Sequence, residues 1–161
     1  MRRFAGWVVL ALGVVGLDQI AKHAVVSALG GGGSIYVAPF FSIILTYNTG
    51  AAFSLLADAS GWQRAFFTVI AIAASAVIVY VLWRNARNAF LSLALSLILG
   101  GALGNLVDRI TLGHVVDFLY FHYRGFSFPA FNVADSSITC GAFLIAWDGL
   151  LRRSRPQGQG W

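Results

Sequence analysis

GGALGNLVDRITLGHVVDFLYFHYRGFSFPAFNVAD, residues 100–135, is the stretch that decides the fold, because it places polar chemistry between two apolar runs long enough to cross a membrane. Three of the six acidic residues of the chain lie in it: Asp108, Asp117 and Asp135. A charge at bilayer depth costs at least ~2.5 kcal/mol on insertion scales, so such residues usually face a protein interior or a wet cavity. The stretch therefore predicts a polar site inside a membrane protein.

The composition is that of an integral membrane protein. Of the 161 residues, 58% are hydrophobic and 11% are charged, against about 25% charged in soluble domains. The net charge of +5 comes from basic residues spread over short segments between apolar runs, a topology pattern and not a nucleic-acid-binding patch. The single Cys140 excludes an intramolecular disulfide and a cysteine-based metal cluster. We expect one domain over residues 1–161.

Four apolar segments predict four transmembrane helices, at about residues 4–29, 62–83, 89–107 and 134–151. A cleaved signal peptide is the alternative for the first, but no clear small-x-small cleavage site follows its apolar part. Gly100 and Gly104 have GxxxG spacing, which lets another helix backbone approach closely. Residues 152–161 are predicted to be a disordered polar tail.

The segment between the first two spans is predicted to lie on the membrane surface. Residues 30–33 are all glycine and form a flexible break, whereas residues 34–48 are rich in β-branched and aromatic side chains. Residues 47–50 are predicted to make a turn. We interpret the segment as a short sheet or hairpin whose edge could pair with a polypeptide substrate, with a plain covering loop as the alternative.

The basic residues predict the orientation. Seven arginines fall on one side of the predicted spans, and the other four basic residues lie toward the opposite side. The more basic side faces the cytoplasm, so both termini are predicted to be cytoplasmic. This topology brings six polar residues together at the outer interface: Asp18, Lys22, Asn105, Asp108, Arg109 and Asp135.

Two of the carboxylates have candidate countercharges close by in the sequence. Lys22 lies one helical turn after Asp18, and Arg109 directly follows Asp108. Both carboxylates are therefore predicted to be structural. In an alternative interpretation, Asp18 and Lys22 only neutralise each other, with Lys22 snorkelling outward.

The other two carboxylates of the site have different surroundings. Asp117 lies among apolar neighbours, which would raise its pKa, and Asp135 lies at a helix start. Such a pair suits acid and base roles, and no serine, cysteine or HExxH pattern offers another chemistry. The alternative is that Asp135 is a helix cap and Asp117 a turn residue. No metal site is predicted, since the histidines lack ligand spacing.

Five motifs resemble a known family. LDQIAK (17–22), YNTGAAFS (47–54), GGALGNLVDR (100–109), VVDF (115–118) and FNVAD (131–135) look like the motif series of bacterial lipoprotein signal peptidase, or signal peptidase II, an aspartyl membrane peptidase family. They occur in the family's order. The resemblance covers residues 17–151, which is nearly the whole chain.

The resemblance implies an enzyme of the bacterial inner membrane with four transmembrane helices, a small extracytoplasmic sheet cradle and an active site at the extracytoplasmic face. Such enzymes remove the signal peptide from diacylglyceryl-modified prolipoproteins by cutting on the N-terminal side of the lipidated cysteine. The implied catalytic pair is Asp117 and Asp135. The implied supporting residues are Asp18, Lys22, Asn48, Gly101, Asn105, Asp108, Arg109, Asn132 and Ala134.

The expected partners are the prolipoprotein and membrane lipid, with no nucleic acid and no cofactor, and the enzyme is expected to be a monomer. Two other classes of protein stay open at this point. A proton-coupled transporter or channel subunit would use its Asp and Lys as a relay, but it predicts acidic residues near the bilayer midplane. A non-catalytic lipoprotein chaperone would use the same groove without chemistry.

Overall fold

The computed structural model describes residues 1–49 and 62–153. Within them the chain forms four helices: α1 (Arg2–Leu29), α2 (Trp62–Asn85), α3 (Ala89–Thr111) and α4 (Val133–Arg153). It also forms four strands: β1 (Ser34–Ala38), β2 (Phe41–Asn48), β3 (Val115–Tyr123) and β4 (Phe126–Ser127). The fold is therefore mostly helical with one small sheet, as the sequence predicted.

Three helices are long and apolar enough to cross a membrane: α1, the part of α2 over Arg64–Asn85, and α3. The predicted segment 134–151 is helical as well, but among the described residues α4 does not reach this level of hydropathy. The helix also includes residues 152 and 153, so the prediction that the tail begins at 152 is wrong there. The rest of the tail lies outside the described residues.

Apolar and polar residues are distributed as expected for a protein surrounded by lipid. Large apolar side chains on the helices point outward, with Val9 66% and Phe143 62% exposed. In contrast, Asp18 and Asp108 are 0% and 2% exposed. Burial of charge under an apolar exterior is the arrangement that a membrane environment favours, because lipid solvates apolar groups and penalises charge.

Helix α3 is central and contacts each of the other three helices. Close approach depends on its glycines. A Cβ on Gly100 would lie 2.7 Å from the backbone oxygen of Ala11 on α1, and one on Gly101 would collide with the backbone oxygen of Ala134 on α4. One on Gly104 would lie 2.8 Å from Oδ2 of Asp18. The GxxxG prediction is confirmed, and Gly101 adds a second contact face.

The four strands form one antiparallel sheet in the order β1-β2-β3-β4. The predicted hairpin over residues 34–48 is confirmed. The turn predicted at residues 47–50 is wrong where the structure describes it, because Tyr47 and Asn48 continue β2 and pair with Val116 and Val115. Gly50 lies outside the described residues. The long strand β3 was not predicted as a strand.

Residues with positive φ form two tight connections, one at each end of β3. Gly113 (φ 84°) ends α3, and its N–H and that of Leu112 both donate to the backbone oxygen of Asp108. Arg124 (φ 47°) and Gly125 (φ 85°) connect β3 to β4, the two-residue turn with positive φ that suits the twist of a hairpin. The first connection lets β3 start directly beside the end of α3.

Candidate active site

Lys22 lies at the centre of a buried polar cluster. Its Nζ is 2.8 Å from Oδ2 of Asp18 and 2.8 Å from Oδ2 of Asp108, and it donates to Oδ1 of Asn105 at 3.0 Å. The lysine is 3% exposed. It therefore does not snorkel outward, and the interpretation of a self-contained Asp18–Lys22 pair is wrong: the lysine joins α1 to α3.

Asp108 takes its countercharge from another helix. Arg109, the candidate countercharge from the sequence, forms no ion pair with Asp108 among the described residues, because consecutive residues of a helix point about 100° apart; Lys22 occupies the facing position. Oδ2 of Asp108 also accepts the backbone N–H of Val116 at 3.0 Å. Asp108 thereby fixes the start of β3 one residue before Asp117.

Gln19 is a site residue that the sequence analysis missed. Its Nε2 donates to Oδ1 of Asp108 at 2.8 Å and to the backbone oxygen of Gly104 at 3.2 Å. The signal was available, since Gln19 lies between Asp18 and Lys22 in the first motif. Asp18, in turn, accepts the backbone N–H of Ala134 through Oδ1 at 2.9 Å, so α1 also holds the start of α4.

Gly101 and Ala134 contribute by being small. Ala134 is fully buried, and its backbone oxygen lies where a side chain on Gly101 would project. The Cβ of Ala134 would in turn be 3.3 Å from one added at Gly104. Both predicted site residues therefore set the distance between α3 and α4 and make no polar side-chain contact of their own.

Asn132 connects the two carboxylates of the predicted catalytic pair. Its Nδ2 donates to Oδ1 of Asp117 at 2.7 Å and to Oδ1 of Asn105 at 3.1 Å, and its Oδ1 accepts the backbone N–H of Asp135 at 2.9 Å. Asn132 is fully buried. Backbone hydrogen bonds between Phe131 and β3 hold it in place, so FNVAD and VVDF are packed as one unit.

Asp135 and Asn132 form a reciprocal cap at the start of α4. The N-cap residue is Asn132, and the carboxylate of Asp135 faces back toward the Asn132 N–H at 3.4 Å, the pattern of a capping box. The helix-cap interpretation of Asp135 is therefore confirmed as geometry. Capping is not the only interaction of this carboxylate, because Oδ1 of Asp135 also accepts a hydrogen bond from Nδ2 of Asn105 at 2.7 Å.

Asp117 lies in β3 and not in a turn, which overturns the alternative reading of that residue. It is 2% exposed and accepts hydrogen bonds from Asn132 and, at 3.1 Å, from Nδ2 of Asn48. Burial and then the negative charge of Asp135 raise the pKa of Asp117 to about 6, against the opposing effect of the two amide donors and Lys22. This agrees with the pKa direction predicted from its apolar neighbours.

Arg109 lies at the edge of the site. Its guanidinium donates to the backbone oxygen of Asn105 at 3.3 Å and lies 5.7 Å from the ring centre of Phe67 on α2. Its charge interacts with Asp135, Asp108 and Asp117. The six residues predicted to converge do so, although the hydrogen bond of Arg109 goes to a backbone oxygen of its own helix, whereas the side chains of the other five bond to other elements.

In the described parts of the chain, no three His, Cys, Asp or Glu side chains lie close enough to hold a metal ion. The site contains two carboxylates on different elements, Asp117 on a strand and Asp135 on a helix, each held by amide donors. Chemically, such a pair can share a proton and act as acid and base on one substrate.

The chain is similar to known proteins over nearly its whole length. Residues 10–151 match the family model described as signal peptidase (SPase) II. The chain is 49% identical over 148 residues to a lipoprotein signal peptidase of Burkholderia ambifaria, covering 92% of this chain and 89% of that protein. It is 52% identical over 149 residues to one of Cupriavidus necator, covering 92% and 85%.

Two solved structures of bacterial membrane enzymes, determined by the in meso method, share the fold. The first, at 2.3 Å resolution, has a TM-score of 0.83 and 35% identity, covering 98% of this chain and 94% of that one. The second, at 1.9 Å, has a TM-score of 0.79 and 37% identity, covering 91% and 93%. The protein is thus an aspartic-type membrane peptidase. The chain belongs to the signal peptidase II family, which decides against the transporter and chaperone interpretations.

Proposed function

We propose that the protein is an endopeptidase that removes the signal peptide from diacylglyceryl-modified prolipoproteins, with Asp117 and Asp135 as its catalytic pair. One observation carries the assignment: Asn132 binds the Asp117 carboxylate through its side chain and caps α4 together with Asp135. The relatives named lipoprotein signal peptidase supply the substrate class.

The proposed reaction needs one proton shared between the two carboxyl groups. The ionised carboxylate takes a proton from a water molecule, whose oxygen attacks the carbonyl carbon of the residue before the lipidated cysteine. The protonated partner donates to the carbonyl oxygen as negative charge develops there. Collapse of the tetrahedral intermediate breaks the C–N bond, and the cysteine nitrogen leaves with a proton from the pair. The titration belongs to the pair and not to one residue.

The surrounding residues hold this pair in position. Asn48 and Asn132 orient Asp117, and Asn105 orients Asp135. The cluster of Lys22 with Asp18 and Asp108 fixes the three segments from which these side chains project. Groups held by a satisfied network cost little reorganisation during the reaction, which is the condition for efficient catalysis.

The protein is proposed to cross the bacterial inner membrane four times, with both termini in the cytoplasm and the pair at the extracytoplasmic interface. Helix α4 is about 31 Å long at 1.5 Å per residue, enough for the hydrocarbon core. Its outward apolar residues include Phe143 and Leu150. The signal helix of the substrate would lie among the spans with its lipid chains in the bilayer, which sets the depth of the scissile bond.

The test is cleavage of a diacylglyceryl-modified prolipoprotein by the purified protein in detergent, with a chelator present, in single-turnover format. Asp117→Asn and Asp135→Asn should each reduce the rate by at least roughly 10³-fold. Asp148→Asn, the same substitution near the other end of α4, should cleave at the wild-type rate. Turnover near wild type in either dyad variant would refute the assignment of that residue.

A further inference from the structure

A groove of about 420 Å³ lies between the start of α1 and the turn that joins α2 to α3. Arg3, Trp7 and Arg87 line it, together with Gly6 and Leu10. Asp18 lies 15 residues after Arg3 on α1, which is about 22 Å of helix. The groove is therefore at the opposite end of the bundle from the carboxylate pair and takes no part in the chemistry proposed above.

The groove is a fixed part of the fold. Nε1 of Trp7 donates to the backbone oxygen of Ala86 at 3.1 Å, which ties α1 to the α2–α3 turn. The other side of Trp7 packs against the buried cluster that includes Ala11 and Leu82. Arg3 on α1 and Arg87 on the turn therefore line a groove whose two walls are joined through Trp7.

The charge of this end is unbalanced. Arg3 and Arg87 are exposed, and within residues 1–49 and 62–153 neither forms an ion pair. Four of the five carboxylates in those residues belong to the site at the opposite end. Arg2 and Arg84 add further positive charge here, against the single carboxylate of Asp148 near the end of α4. The groove therefore favours an anion, and the guanidinium groups of the two arginines that line it suit the oxygens of a phosphate.

The remaining wall of the groove is apolar and open. A Cβ built on Gly6 meets no atom within 4 Å, so empty space runs beside α1 at this position. Leu10 continues the same wall one turn further into the apolar belt. A hydrocarbon chain can pack against this wall, whereas a free phosphate ion has no apolar group to place there.

We propose that this groove binds an anionic phospholipid, with the phosphate between Arg3 and Arg87 and one acyl chain along Gly6 and Leu10. Basic pockets between helices on the cytoplasmic side of membrane proteins bind anionic head groups in this way. The site is independent of the peptidase assignment, because it uses none of the residues of the carboxylate pair or of the Lys22 cluster.

The binding test uses the full-length protein in neutral detergent micelles. Phosphatidylglycerol and phosphatidylcholine with the same acyl chains are added in equal amounts, and the lipids that stay bound are counted by native mass spectrometry. Wild type should retain phosphatidylglycerol in clear preference. Equal retention of the two lipids would overturn the proposal.

Two pairs of variants locate the site. Arg3→Gln/Arg87→Gln should weaken phosphatidylglycerol retention roughly tenfold or more, whereas Arg2→Gln/Arg84→Gln, with the same change in net charge, should retain most of it. Gly6→Leu should block the acyl-chain wall and lower retention. Gly13→Leu is its matched control, because a Cβ there also meets no atom within 4 Å and Gly13 does not line the groove.

Each outcome has a defined meaning. Equal losses in the two arginine double variants would show a general charge effect and refute the groove. Unchanged retention in Gly6→Leu would refute the acyl-chain part. A final arm adds glycerol 3-phosphate as a competitor: failure to displace the lipid at millimolar concentration supports a phospholipid site, and full displacement would show a site for free phosphate compounds. Circular dichroism of all four variants confirms that the fold is intact.

Discussion

Asn48 provides a direct test of the proton that the carboxylate pair shares. Its Nδ2 donates to Asp117 and so stabilises the ionised form, which lowers the pKa of that carboxyl group from the value that burial alone would impose. Asn48→Ala should therefore raise the pKa of Asp117 above about 6. Since activity is lost as rising pH removes the shared proton, the alkaline limb of the kcat/KM profile should move up by roughly one pH unit.

The measurement is a pH profile of prolipoprotein cleavage for Asn48→Ala beside Asn85→Ala. Asn85 is the matched control because, among the described residues, its Nδ2 donates to the backbone oxygen of Val81 alone, at the far end of α2. In the control variant, the alkaline limb of the kcat/KM profile should lie at the same pH as in the wild type. A uniform drop in rate for Asn48→Ala with no movement of the limb would mean that Asn48 acts only through packing.

Lys22 is the only lysine of the chain and the only cation within reach of both Asp18 and Asp108 among the described residues. Lys22→Met would leave two carboxylates, 0% and 2% exposed, without their countercharge. Breaking a buried ion pair by removing one partner costs about 3–5 kcal/mol. We expect a strongly lowered Tm in detergent, together with loss of cleavage.

Arg84→Met removes an exposed cation at the other end of the molecule and serves as the control for Lys22→Met. Exposed charges contribute at most about 1 kcal/mol, so its Tm should stay near that of wild type. A Lys22→Met variant with the wild-type Tm would show that the two carboxylates are protonated and need no countercharge.

Individual residues of the site were predictable in part. Asp135 and the polar residues of the first and third motifs could be grouped from helix spacing and topology alone, whereas Asp117 was singled out by its apolar neighbours. Their pairing could not, because sequence neighbours suggested Arg109 for Asp108, whereas the rotation of α1 against α3 places Lys22 there. The amide network around Asn132 depends on backbone pairing between Phe131 and β3, which spacing does not reveal.

At the scale of elements, β3 shows why the sequence pattern does not predict every strand. Its residues VVDFLYFHY do not alternate apolar and polar, because the first four are buried on both faces of the sheet. The hairpin of β1 and β2 was identified from its composition. The strand that carries Asp117 takes its place from Asp108, which binds the N–H of Val116, and from pairing with β2.

The contact between α3 and α4 gives the prediction at this scale. Gly101→Ala puts a methyl group against the backbone oxygen of Ala134, which is the residue before Asp135, so the helices must separate. By helix propensity alone, Gly to Ala stabilises a helix by up to about 1 kcal/mol. We expect the reverse: a lower Tm and a fall in cleavage of at least roughly tenfold.

Gly13→Ala is the control for Gly101→Ala, because it makes the same change on α1 where nothing lies within 4 Å. It should keep or raise the Tm and leave cleavage unchanged. If Gly101→Ala behaves like Gly13→Ala, then the packing distance between α3 and α4 does not position Asp135, and the role assigned to Gly101 is wrong.

For the whole molecule, composition was enough to identify a membrane protein, but the number of crossings is a separate matter. Helices α1, α2 and α3 are apolar enough to cross on composition. Helix α4 begins with polar residues of the site, and these lower its mean hydropathy. Its crossing must therefore be inferred from its length and from the helix against which it packs. It packs against α3, the arrangement expected if α4 makes the fourth crossing that we propose.

Cysteine labelling tests that inference. In a Cys140→Ala background, single cysteines replace Ser127 at the end of β4 and Gly149 near the end of α4; both positions are exposed, and a Cβ at Gly149 meets no atom within 4 Å. With four crossings, a membrane-impermeant maleimide should label position 127 in intact spheroplasts and position 149 only in inside-out vesicles. Labelling of both positions from the same side would mean that α4 does not cross. The carboxylate pair would then remain beside β3, but the C-terminus would be extracytoplasmic.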